Sequence, residues 1–87
     1  MKETAARALT PMQMITLSFV GAGLQNKEIA RELGIVESTV KVHVAALLRH
    51  FHAPNRGFLI LRAHELEAGA ALAQARALAN ERRAAHG

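Results

Sequence analysis

From Thr10 to Phe51, apolar residues recur three and four positions apart, and the strict alternation of a half-buried strand is rare. The stretch Ile35 to Phe51, IVESTVKVHVAALLRHF, carries the clearest pattern. On a helix of 3.6 residues per turn, Val40, Val44, Leu47, Leu48 and Phe51 fall in one apolar stripe, as a core-facing side requires. Ser38, Lys41, Val42, Ala45 and Arg49 line the opposite side. That mixture of short, small and cationic groups is poorly suited to an ordinary solvated surface. It suits insertion into a groove.

Gly, Pro and Asn punctuate the rest of the chain into helices. Residues 1–8 read as a polar, flexible leader. Thr10, Pro11 and Gln13 form a start signal, with a hydroxyl cap, proline at the first helical position and a glutamine three residues after the cap. The helix that follows turns Leu17 and Val20 inward, with Ile15 and Phe19 as further apolar residues, and stops at Gly21-Ala22-Gly23. Leu24 is expected to plug the core. Asn26 reads as the next N-cap, before a two-turn helix over Lys27 to Leu33 whose inner side is Ile29, Ala30 and Leu33. Gly34 ends it, and a third helix runs from about Glu37 to about His50. Ala53-Pro54-Asn55 reads as a turn, with Asn55 capping a fourth helix that begins near Arg56 and offers Phe58, Leu59, Leu61 and Ala63 for packing. A short helix, a glycine turn and a longer helix make a helix-turn-helix pattern, in which the first helix braces the second against a duplex backbone. The expected fold is all-α, with four helices and no wing.

The segment 67–87 is rich in alanine, which favours helix but buries little. Leu59, Ala63, Leu66, Ala70, Ala73 and Ala77 recur with a 4-3-4-3-4 spacing, a heptad-like seam of mostly small residues. Two readings stay open for this segment. It is either a helical extension that lets two copies approach closely, or a frayed tail weakened by Gly69 and ending in the solvated pair Arg82-Arg83.

Composition narrows the partner. With 11 Lys and Arg against 7 acidic residues the formal charge is +4, which points to an anion, nucleic acid first and an acidic protein or membrane surface after it. Eighty-seven residues make one small domain, too small for a large enclosed active site beside its core. No nucleophile and base pair, metal cluster or paired carboxylates appear, so no enzyme is expected. There is no cysteine, which removes disulfides and thiolate zinc sites and fits a reducing cytoplasm. His43, His50 and His52 lack Cys or Asp companions, and no metal or other cofactor is expected. No apolar run reaches transmembrane length and residues 1–8 lack the hydrophobic centre of a signal peptide, so no membrane partner is expected. Aspartate is absent, so a phospho-acceptor receiver or sensor domain is expected on another or a longer chain.

LTPMQ at 9–13, GLQNKEIARELGIVESTVKVHVAALLRHF at 23–51 and Asn55-Arg56 together resemble the DNA-binding domain of the LuxR/FixJ/GerE family of bacterial transcription regulators. The resemblance covers residues 9–66, and NKEIA paired with STVKVHV is its most specific part. It implies a third helix in the major groove, a fourth helix serving in dimerisation, and a cytoplasmic, nucleoid-associated regulator. It places Lys41 and Val42 against base edges, with Ala45 where relatives present a longer side chain to the bases. Asn26, Lys27, Thr39, Arg49 and Arg56 fall near phosphates. The chemistry agrees, since lysine can donate to guanine and valine can meet a thymine methyl. Ser38 adds a short hydroxyl suited to backbone contacts, and His43 lies on the flank. Leu59, Ala63 and Leu66 are the expected dimer contacts. Met12, Gln13 and Ile15 stand where the family usually has arginine and two glutamates, so an internal polar link is lost. Thr16 and Gly21 are smaller than the usual core residues, and Val36 replaces a hydroxyl N-cap.

These features predict sequence-specific binding of double-stranded DNA by a homodimer that regulates transcription. The alternative is an interaction module of the same fold that binds an acidic protein partner through the same face.

Overall fold

A computed structural model describes residues 9–86; the expected leader, residues 1–8, lies outside them. Four helices follow in order: α1 (Pro11–Gly21), α2 (Asn26–Leu33), α3 (Glu37–His50) and α4 (Arg56–His86). The first starts on the predicted capping box. Thr10 Oγ1 accepts from the Gln13 backbone N–H at 3.1 Å, and Gln13 Oε1 accepts from that of Thr10 at 2.9 Å. Thr16, one of the small residues of α1, is fully buried and donates its hydroxyl to the Met12 carbonyl at 2.8 Å. The hydroxyl is thus satisfied within its own helix and costs the core little.

One expected cap is corrected. Gln25, not Asn26, is the extended residue before α2, and its backbone N–H donates to the Glu28 carboxylate at 2.7 Å. Asn26 is already helical, and its side-chain oxygen accepts from an arginine thirty residues on, described below, instead of capping its own helix. Gly34 closes α2 at φ 69°, in the left-handed region that glycine enters without a Cβ penalty. At the head of α4, Asn55 Oδ1 accepts from the Phe58 N–H at 2.9 Å, as its cap position predicts.

The core is formed by Leu17 and Val20 of α1, Ile29 and Ala30 of α2, Val40, Val44 and Leu47 of α3, and Leu59 and Ala63 of α4. Leu24, Leu33, Leu48 and Phe51 pack around it. The inward stripe of α3 is therefore the expected one. A second correction concerns α4. Leu59 is fully buried and Ala63 is 5% exposed, so both are consumed by the chain's own core and neither can meet another copy. Helical spacing identifies a shared face but not what covers it; here α1 covers it. Leu66, at 45% exposed, is the member of the expected trio that remains open.

The alanine-rich segment continues α4 without a break to His86, and every described residue from His64 to Arg82 is exposed. About 46 Å of helix follows from 31 residues at 1.5 Å each. The radius of gyration is 16.3 Å, against roughly 12 Å for a compact chain of this length. The excess is the part of α4 that runs past the body.

Candidate nucleic-acid interface

The helix that carries the candidate contacts is presented by the packing of its back. With Val40, Val44 and Leu47 buried against α1 and α2, Ser38, Lys41, Val42 and Arg49 are left exposed on the far side, and Ala45 is half-buried among them. From Ser38 to Arg49 this face is about 16 Å long, enough to lie along a major groove about 12 Å wide. Val42 is 65% exposed between Lys41 and Arg49, so its methyls face solvent on the same side as the two cations. Thr39 and His43 are half-buried on the flanks. Val36 provides no side-chain cap to α3; the Thr39 N–H turns back to the Val36 carbonyl at 3.1 Å, and Glu37 favours the positive helix end.

Lys27 is exposed on α2. It borders a cleft of about 280 Å³ whose other walls are Gln25, Asn26, Glu37 and Arg56. Asn26 and Arg56 are brought together there and are both half-buried. Arg56 Nη1 donates to Asn26 Oδ1 at 2.8 Å, and Arg56 Nη2 donates to the Leu24 carbonyl at 2.7 Å. Sequence reasoning missed this link, because nothing in local spacing connects residues thirty positions apart. Among the described residues no group of three or more His or Glu side chains converges to hold a metal ion.

A stretch of this chain, residues 7–63, matches the family described as bacterial regulatory proteins, luxR family. The chain belongs to that luxR family, and the matched stretch is its DNA-binding regulator domain. It is 43% identical over 61 residues to a glycerol metabolism activator of Pseudomonas putida, covering 70% of this chain and 28% of the relative. It is 47% identical over 53 residues to the two-component response regulator PprB of Pseudomonas aeruginosa, covering 61% of this chain and 19% of that protein. A third relative is the nitrate/nitrite response regulator protein NarL of Escherichia coli, 44% identical over 54 residues, 62% of this chain and 25% of the relative. The chain thus spans about a quarter of the length of these luxR-family relatives. No solved structure matches it.

Proposed function

We propose that this luxR-family chain binds double-stranded DNA sequence-specifically as a homodimer, with α3 in the major groove, and regulates transcription by where it docks. The exposed Ser38, Lys41, Val42 and Arg49 on the side of α3 opposite its buried stripe carry the reading. Lys41 and Val42, with Ala45 between the cations, are assigned to base edges; Asn26, Lys27, Ser38, Thr39, His43 and Arg49 are assigned to the backbone. Residues 9–66 act as the DNA-binding unit, and the remainder of α4 extends it. No helix among the described residues is long and apolar enough to cross a membrane, which agrees with a cytoplasmic regulator. Several relatives bear the name of response regulators, and the 87 residues contain no aspartate, so the controlling receiver or sensor is assigned to another or a longer chain.

Phosphate neutralisation is expected to supply most of the affinity, with the logarithm of the binding constant falling by about 0.9 per phosphate contact for each logarithm of salt. The roles of Lys41 and Arg49 separate on that scale. Lys41→Ala is expected to cost about 1–3 kcal/mol at its own base pair and to relax selectivity there. Arg49→Ala is expected to weaken all duplexes alike and to flatten the salt slope. Titrating both variants against a duplex selected from a random pool, and against its scrambled counterpart, tests the division. Parallel losses on the two duplexes for both variants would remove it. An acidic protein partner on the same face predicts instead that duplex DNA fails to compete at physiological salt.

A further inference from the structure

We infer that Arg56 is a positioning residue for DNA binding, not a phosphate ligand, and that it acts by fixing Asn26 and the start of α2. Guanidinium groups hold phosphates with a fork of two parallel N–H donors. Here each terminal nitrogen of the fork already donates within the protein, Nη1 to Asn26 Oδ1 at 2.8 Å and Nη2 to the Leu24 carbonyl at 2.7 Å, which sets the guanidinium plane by Asn26 and Leu24 and not by a ligand. Leu24 lies in the connection between α1 and α2, where its carbonyl has no place in a helical ladder, so the bond satisfies a group that would otherwise need water. One side chain at the head of α4 therefore ties down both the loop that leads into α2 and the first residue of that helix.

The consequence falls on Asn26. With its oxygen accepting from Arg56, the part of the amide left for a ligand is its two N–H donors, next to the exposed ammonium of Lys27 in the same cleft. Glu37 lines that cleft too, and Glu28 is held close by on the Gln25 N–H. Both carboxylates oppose an incoming phosphate, and the charge of Arg56, on the wall of the same cleft, offsets them while its bonds to Asn26 and Leu24 hold it in place. The donors aimed at DNA are then Asn26 and Lys27, and Arg56 holds them in place.

The inference rests on the DNA-binding reading, and the experiment separates the two. Affinity and salt slope are measured for the parent, R56K, R56Q, N26A and the N26A/R56Q double variant, on a duplex selected by the parent from a random pool. Each is measured at a temperature where circular dichroism shows it fully folded, so that a merely structural loss does not register. R56K keeps the charge but cannot reach both acceptors. The expected result is that R56K and N26A each weaken binding about tenfold, that R56K leaves the salt slope unchanged, and that the double variant is no weaker than the weaker single one. In unfolding without DNA, the N26A and R56Q losses are also expected to be less than additive. Should R56Q not fold, R56K and N26A carry the test, since N26A retains the bond to Leu24. R56K binding like the parent while R56Q flattens the slope by about 0.9 makes Arg56 a phosphate ligand and overturns the inference. Folded R56K and N26A that both bind like the parent overturn it as well, leaving Arg56 a brace for the fold alone. A parent that binds no duplex removes the DNA-binding reading itself.

Discussion

His52 stands just past the end of α3 with φ at 51°, in a region that an L side chain enters at a cost of about 1–2 kcal/mol. The conformation is imposed by the helix end. Ala53 donates its N–H to the Leu48 carbonyl at 2.8 Å and His52 to that of Arg49 at 3.2 Å, which closes α3 before Pro54 turns the chain into α4. His52→Gly is expected to raise stability by about 0.5–1 kcal/mol, the relief of strain being reduced by the greater freedom of glycine in the unfolded chain. A higher urea midpoint at unchanged slope is the sign to look for; a lower one shows that the imidazole earns its place. Gly21 is the reverse case. A Cβ there would lie 2.9 Å from the Ala63 Cβ, so α1 approaches α4 only because position 21 has no side chain. Gly21→Ala is expected to lose about 1–3 kcal/mol through overpacking, despite the better helix propensity of alanine, and thermal unfolding should show it directly. The exchange of larger core residues for Thr16 and Gly21 was visible in the sequence, but its reason was not. One hydroxyl bonds its own helix, and one missing methyl admits a neighbour.

At the scale of elements, ends were more legible than faces. Thr10 with Gln13, Gly34 and Asn55 each perform the capping chemistry their residue types suggest, and α3 begins and ends at Glu37 and His50 as read. The inward stripe of α3 was legible because five large apolar groups share it and no second face competes. In α4 two faces compete. Leu59, Ala63 and Leu66 share one, while Phe58, Leu61 and Leu72 share another, and periodicity alone does not say which meets α1. The link from Arg56 to Asn26 was hidden for a different reason, since a residue type suited to phosphate is equally suited to an amide oxygen. Past His64, whose Nε2 lies 2.6 Å from the Gly21 carbonyl, α4 relies mostly on propensity, because its described side chains to Arg82 are exposed. Gly69 interrupts that run, and a Cβ added there meets nothing within 4 Å. Gly69→Ala is therefore expected to strengthen the helix by about 1 kcal/mol. The gain should appear as a deeper helical dichroism signal that melts later, with the unfolding of the body unmoved. A shift of the body's own midpoint would mean that the extension is packed on something.

For the whole molecule, the burial of Leu59 and Ala63 in the core points the seam of the proposed homodimer to the far side of α4. Phe58, Leu61 and Leu72 are 38%, 54% and 55% exposed, and Ala68, Ala75 and Ala79 complete a 3-4 pattern with Glu65 along the same face. This stripe runs from the body into the extension, interrupted at Glu65, and offers a second copy a continuous helix face to pair along. Docking into successive major grooves, about 34 Å apart on one side of the duplex, demands of such a pair that both α3 helices stay clear of the seam. Because Leu61 and Leu72 are more than half exposed, replacing both by glutamate should leave the unfolding free energy of the monomer unchanged within about 0.5 kcal/mol, compared at a protein concentration low enough for the parent to be dissociated. Equilibrium sedimentation is expected to show a dimer for the parent and a monomer for the double variant. The same variant should bind a single half-site as the parent does and lose its preference for a duplex carrying two. A variant that still sediments as a dimer moves the seam to the opposite side, where Met14, Leu66 and Ala70 line an apolar groove of about 240 Å³ between α1 and α4. A parent that remains monomeric even on a duplex with two half-sites removes the homodimer, and recognition would then be limited to what one α3 can read.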